Sequence, residues 1–154
     1  MLKQAILFLY VIEIVWCSSA LKYDTIFDQR GSLYNRAMNQ SPNGRKEEAL
    51  PIILELEIEE NDIILDAPAG GGFVGWSIHS YIPICSESIT IIEVEPSAIF
   101  ATGGHGKVGK MGQVQAQLYD LPNEDNSIDK VSSLAGLHHL TMEEKKGFFS
   151  ESLR

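Results

Sequence analysis

The sequence predicts a three-layer α/β sandwich with a mainly parallel sheet, on three observations. Four short segments, 62–67, 89–94, 113–118 and 128–135, read as strands, and the Ile and Leu of the first suit a strand buried on both faces. Helix-compatible stretches lie around them, as parallel pairing requires, because parallel neighbours need a crossover connection. The first segment also breaks into glycines, Ile63-Ile64-Leu65-Asp66-Ala67-Pro68-Ala69-Gly70-Gly71-Gly72-Phe73-Val74-Gly75, then resumes as an apolar, helix-compatible stretch. That is strand, tight turn, helix, and the glycines let backbone approach a ligand where unpaired N–H groups gather at a helix N-terminus.

Bulk composition narrows the classes. A chain of 154 residues that is 44% hydrophobic can build one domain with its own core. The formal net charge of −9 is spread along the chain, which serves solubility and argues against nucleic acid as a partner. Cys17 and Cys85 are too few for a disulfide framework, and no Cys/His cluster has zinc spacing, so no metal site and a reducing, cytoplasmic setting are expected.

From the N-terminus, residues 1–20 carry Lys3, the apolar run Ala5 to Ile12 and the small residues Cys17-Ser18-Ser19-Ala20. This resembles a secretory signal, but Glu13 interrupts the run and the run is short for a spanning helix. The other reading is a helix packed on the domain or on a membrane surface, with membrane contact through residues 1–16. Residues 21–60 then form an N-terminal helical cover. Tyr23, Phe27, Leu33, Tyr34 and Met38 suit one helix, Asn39 to Gly44 a turn-rich break, and Arg45 to Leu56 a second helix that Pro51 should kink or begin. The α/β part occupies residues 61–154.

Gly70, Gly72 and Gly75 have the spacing G-x-G-x-x-G, and Glu95 stands 20 positions past Gly75 after a second apolar run. An acid there can accept from both hydroxyls of a ribose while the glycines admit the rest of a nucleotide. These residues alone admit an NAD(P)- or flavin-binding oxidoreductase as well as a protein that binds an adenosyl-type cofactor. Asp66, at the end of the first strand, repels a pyrophosphate and attracts an ammonium group, which favours an amino-acid-bearing nucleoside. Beyond it, Asp120 to Asp129 place an acidic turn before the fourth strand.

Three pieces, Leu-Asp-Ala-Pro-Ala-Gly-Gly-Gly at 65 to 72, Glu-Pro-Ser at 95 to 97 and Leu-Pro-Asn-Glu-Asp-Asn-Ser-Ile-Asp at 121 to 129, carry a resemblance over Asp62 to Leu140. The chain resembles the class I S-adenosylmethionine-dependent methyltransferases, and among them the small-molecule type related to quinone biosynthesis. The resemblance implies S-adenosyl-L-methionine as cofactor and a small molecule as methyl acceptor. It implies that Asp66, Gly70 and Gly72 line the methionine end, that Glu95 holds the ribose, and that Ala67, Pro68 and Pro96 also belong to the cofactor site. Gln117 and Leu118 would bracket the adenine, and Ser133, Leu134 and Ala135 would lie near the donor methyl.

Departures from the family pattern are Pro68, where a glycine is usual, and Gln117, where an acid is usual; the Gln117 amide oxygen can still accept from an exocyclic amine. Glycines through 102–112 make a long helix unfavourable there and suggest a mobile surface loop. Gly104 to Lys110 has phosphate-loop spacing, but Met111 stands where a magnesium-binding hydroxyl belongs. His138 and His139 follow the fourth strand, as general bases or as turn residues. Phe73, Trp76, Phe148 and Phe149 read as core or helix-face residues, and Asp125 and Asp129 as turn formers.

The resemblance implies a Rossmann-like fold over residues 61–154 with strand order third, second, first, fourth; the family fold continues with three more strands, so a sheet incomplete after the fourth is expected, with that strand an unpaired apolar edge. The chain would then be a methyltransferase or a truncated fragment of one. A non-catalytic half-domain that pairs its edge with another chain is the remaining reading.

Overall fold

The computed structural model describes residues 5–6, 23–40, 42–83, 88–103 and 110–154. Its sheet runs β1-β5-β2-β3-β4, with every neighbouring pair parallel. The strands are β1 (Ala5–Ile6), β2 (Ile63–Asp66), β3 (Thr90–Val94), β4 (Lys110–Val114) and β5 (Lys130–Ser132). Helices α1 (Tyr23–Gln40) and α2 (Pro42–Glu55) precede β2; α3 (Phe73–Tyr81), α4 (Ala98–Gly103) and α5 (Met142–Glu151) follow. The expected order third, second, first, fourth is therefore β4, β3, β2, β5.

Alternation along the strands sorts their side chains to two faces. Ile64 and Ile91 pack with Ala49 and Ile53 of α2 and Val74 and Ile78 of α3. Leu65 and Val94 point the other way, into a cluster with Leu118, Leu121, Leu140 and Phe148 of α5. Each such side chain contributes about 1.5–3 kcal/mol on burial. An exposed pair such as Lys146–Glu143 is worth about 0–1 kcal/mol, so these two apolar layers hold the sandwich.

Local chemistry sets several boundaries. Thr141 caps α5: its hydroxyl accepts from the Glu144 N–H, and the Glu144 carboxylate accepts from the Thr141 N–H in return. Gly147 lets that helix lie against Tyr119, because a Cβ there would meet the Tyr119 Cβ at 2.6 Å. Asp129 accepts from the Ile63 N–H and so ties the acidic turn to the start of β2. Arg154 donates to the carbonyls of Leu121 and Asn123 and to the carboxylates of Asp125 and Glu151, pinning the other end of the turn. Asp125 and Asp129 are thus structural, as expected.

Several expectations are corrected. β4 begins at Lys110, not at 113, because Lys110 pairs with Thr90 at the start of β3 and each later residue follows in register. Lys110 to Gly112 are therefore strand and not surface loop, while 104–109 lie outside the described residues. β5 is shorter than the expected 128–135. The break at 39–44 shrinks, since α1 runs to Gln40 and α2 starts at Pro42, where a proline without an N–H costs nothing. Pro51 neither begins nor ends α2; it sits inside it.

The edge beside β5 is not unpaired: Ala5 and Ile6 lie alongside Lys130 and Val131. These two residues are extended, not helical, and the rest of the segment read as signal, anchor or packed helix lies outside the described residues. No described helix is long and apolar enough to cross a membrane.

Candidate functional site

The site begins with a row of polar side chains across the carboxyl ends of the strands. Ser132 of β5 pairs in register with Asp66 of β2, Asp66 with Glu93 of β3, and Glu93 with Gln113 of β4. Register partners on parallel strands point to the same face, here the one covered by α2 and α3. The Ser132 hydroxyl donates to Asp66 Oδ1 at 3.0 Å, and the Gln113 amide donates to Glu93 Oε2 at 2.7 Å. Asp66 Oδ2 and Glu93 Oε1 are buried and have no hydrogen-bond partner among the described residues.

Burial, followed by the neighbouring Glu93, pushes the Asp66 carboxyl well above the usual range, against the pull of the Ser132 hydrogen bond. Burial also raises Glu93, opposed by the Gln113 hydrogen bond. A carboxylate pair in this setting favours a shared proton or a bound cation over two bare charges.

The glycine loop lies over this row and is stitched to it. Ala67 N–H donates to the Ser132 carbonyl and Ala69 N–H to the Val94 carbonyl, each at 3.0 Å. Gly70 N–H donates to Glu95 Oε2 at 2.7 Å, while Glu95 Oε1 accepts from Ser97 N–H at 2.9 Å. The acid at the end of β3 thus also shapes the loop. Gly70 (φ 53°) and Gly72 (φ 74°) hold the left-handed conformation that glycine adopts without strain. At Gly72 space matters as well, since a Cβ would lie 2.7 Å from Glu93 Oε1. Pro68 is buried, its peptide bond to Ala67 is cis, and its ring abuts Gly136.

Above the loop is a cavity of about 180 Å³. Its floor is Pro68 to Gly71, and Leu134, Ala135 and Gly136 after β5 form one wall. Phe27, Tyr34 and Arg45 of the cover close the opposite side, with Phe100 of α4 between them. Tyr34 hydroxyl accepts from Arg45 at 2.7 Å, and Phe27 stands edge-on to His139 at 5.0 Å between centroids. His138 and His139 lie on a short 3₁₀ turn at the rim, their rings 3.8 Å apart. Burial and then His138 lower His139 to about 4. Burial, then Lys145 and Arg45, lower His138. Both rings are neutral near pH 7 and able to accept a proton.

Of the residues singled out in the sequence, Pro68, Gly70, Leu134, Ala135, His138 and His139 meet in the cavity wall. Asp66, Ala67, Gly72, Glu95 and Pro96 surround the loop from below or beside it and are buried. Gln117 and Leu118 lie past the end of β4 and away from the cavity wall, and Leu118 is a fully buried core residue beside Leu121 and Phe148. The Ser133 hydroxyl is buried outside that wall. Phe73, expected as core, is buried and also lines the cavity.

Sequence reading missed Glu93, Gln113, Phe27, Tyr34, Arg45, Phe100 and Gly136. A charged residue inside the apolar run Ile89 to Val94 was a signal for Glu93. The cover residues gave none, because only chain folding over a long separation brings them to the loop. Among the described residues no group of three His, Cys, Asp or Glu side chains could hold a metal ion.

Comparison with known proteins agrees with this architecture. Residues 66–154 match the family model described as a methyltransferase domain. No curated protein matches the chain in sequence. In fold it is similar to a chain of the complex between the Haloferax volcanii Trm112 methyltransferase activator and a methyltransferase, with TM-score 0.58 and 18% identity over 79% of this chain and 53% of that one. The YcgJ protein of Bacillus subtilis is similar at TM-score 0.53 and 19% identity, over 62% of this chain and 40% of that one. YjhP of E. coli is similar at TM-score 0.52 and 13% identity, over 70% and 44%. The chain therefore spans about half the length, or less, of these solved relatives. With the matched model covering more than half of the chain, and the strand order and glycine loop in place, the chain belongs to the methyltransferase domain family.

Proposed function

We propose that the chain binds S-adenosyl-L-methionine and serves methyl transfer to a small-molecule acceptor. The observation that carries this reading is the bond from Gly70 N–H to Glu95, which makes the glycine loop and the ribose-side acid one unit. Asp66 fits the methionine end, since its unpaired, buried Oδ2 calls for a cationic partner such as an ammonium group. Pro68, Gly70 and Gly72 would admit the nucleoside, with Ala67 and Pro96 shaping the walls. Gln117 and Leu118 are the adenine-side residues of this reading, and Ser133 and Leu134 those near the methyl.

The cofactor supplies a sulfonium with a transferable methyl group. The protein's part is to align the acceptor and exclude water. Aromatic side chains of the cover do this over the cavity, and neutral His138 or His139 at its rim can take a proton from an acceptor hydroxyl.

An NAD(P)- or flavin-binding oxidoreductase is disfavoured by the three buried acids Asp66, Glu93 and Glu95 around the loop, which would repel a pyrophosphate. A half-domain pairing with another chain is a second reading. It is supported by the short β1, which among the described residues covers only Lys130 and Val131. The Haloferax volcanii relative was likewise solved with a partner, an activator protein.

Calorimetric titration with S-adenosyl-L-methionine, its demethylated product and a nicotinamide dinucleotide tests the proposal. Saturable binding of the first two, weakened at least tenfold by Asp66→Ala or Glu95→Ala, is expected. Binding of the dinucleotide alone would overturn it. Sedimentation of a well-behaved monomer would remove the pairing reading.

A further inference from the structure

We infer that Glu93 is the second member of a buried carboxyl pair with Asp66, which holds one proton in the free protein and gives it up when a primary ammonium ligand binds. This rests on the reading of the site as one for an amino-acid-bearing nucleoside, and it adds a residue and a proton that that reading does not contain.

Asp66 and Glu93 are direct partners on adjacent parallel strands and point to one face, so their carboxyl groups are neighbours. Each has one oxygen satisfied from the outer side, by Ser132 and by Gln113. Each has one oxygen left without a partner, Asp66 Oδ2 and Glu93 Oε1, in residues 0% and 2% exposed. Donors thus flank the pair on both outer strands, and among the described residues neither open oxygen has one. Two bare carboxylates cannot stay side by side in a buried site, so the pair holds one proton.

Among the described residues, the nearest cations are engaged elsewhere. Glu95 at the end of β3 adds a third negative group, engaged by Gly70 and Ser97. From α3 come the Ser77 hydroxyl and, further along, His79; from β4 comes Gln113, and from β5 come Ser132 and, two residues earlier on the same face, Lys130, which is held by Asp62 and the Glu57 carbonyl. From α2, Arg45 donates to Tyr34 and Glu48, and Lys46 lies over the rings of Trp76 and Tyr81. On α1, Asp28 is bonded to Ser97. A ligand carrying an ammonium group offers the missing positive charge, and the shared proton then leaves to solvent. A metal is not the expected occupant, since no third His, Cys, Asp or Glu joins the pair in a metal-holding group among the described residues.

Calorimetry in buffers of different ionisation enthalpy measures protons released on binding. The probes are S-adenosylhomocysteine, which carries the ammonium group, and methylthioadenosine, which lacks the amino-acid part. Between pH 6 and 8 the first should release a substantial fraction of one proton and the second none. Glu93→Gln should cut the release at least twofold and raise affinity for S-adenosylhomocysteine on the acidic side, because Asp66 then ionises more readily.

Infrared spectroscopy of the ligand-free protein gives an independent reading: a protonated-carboxyl band should be present, and it should weaken in both Glu93→Gln and Asp66→Asn. Binding of both probes without proton release, or a free protein lacking that band, overturns the carboxyl pair while leaving the cofactor reading intact. Absence of any binding overturns the cofactor reading, and the infrared titration still decides whether the pair holds a proton. Gln113→Leu, which keeps both acids and removes one outer donor, should raise the midpoint of the band's titration. An unchanged midpoint also counts against the pair.

Discussion

Gly136 and Pro68 are in direct opposition: a Cβ on Gly136 would lie 1.9 Å from Cγ and 2.6 Å from Cδ of the proline ring. The backbone of Gly136, at φ −109° and ψ −34°, is open to any residue, so space and not conformation demands glycine. The proline in the loop and the glycine after β5 are one steric unit, which explains how a bulky ring is tolerated where close backbone approach is the rule.

Gly136→Ala should therefore destabilise the protein by about 1–3 kcal/mol, the usual cost of forcing extra atoms into a packed site. Pro68→Gly in the same chain should recover most of the loss. Urea unfolding of the two single variants and the double variant measures the coupling, and simple additivity would contradict it.

Glu95→Gln should cost about 1–3 kcal/mol, because the carboxylate accepts from both Gly70 and Ser97 N–H groups and an amide offers only one acceptor oxygen. The loop should loosen with it. Hydrogen exchange at the Gly70 amide should rise more than exchange in the core of β3.

His139 gives a pH signature. Its folded value of about 4 lies below the ordinary 6.5, so below pH 6.5 the unfolded chain binds a proton that the folded chain does not. Its contribution to stability is full above pH 6.5, is lost as the pH falls towards 4 and levels off below that. The raised carboxyl of Asp66 acts with the opposite sign, being more protonated when folded. The readout is therefore the difference between the native protein and His139→Phe, which keeps an aromatic edge against Phe27. The variant should lose less stability than the native chain between pH 6.5 and 4.

Thr141→Ala should lower stability by about 1 kcal/mol, since it removes the acceptor for the Glu144 N–H at the start of α5. A matching reduction in the thermal midpoint is expected, with no change in affinity for an adenosyl ligand.

Much of this molecule follows from local chemistry. Apolar runs, the glycines after Asp66, the acid at 95 and the turn before Asp129 mark strands and loop, because alternation, φ > 0 and capping act over a few residues, whereas the strand order followed only from the resemblance. The Thr141 cap is legible for the same reason. Boundaries are less so: β4 starts at Lys110 because its partner β3 sets the register, and no local propensity in a glycine-containing stretch records that.

The site divides along the same line. Asp66, Gly70, Gly72 and Glu95 stand out by type and spacing. The pairing of Asp66 with Glu93, the closure of the cavity by Phe27, Tyr34 and Arg45, and the fit of Gly136 to Pro68 arise from contacts between residues far apart in the chain. Such contacts depend on how strands align and layers pack, so they appear only once the sheet and its cover are assembled.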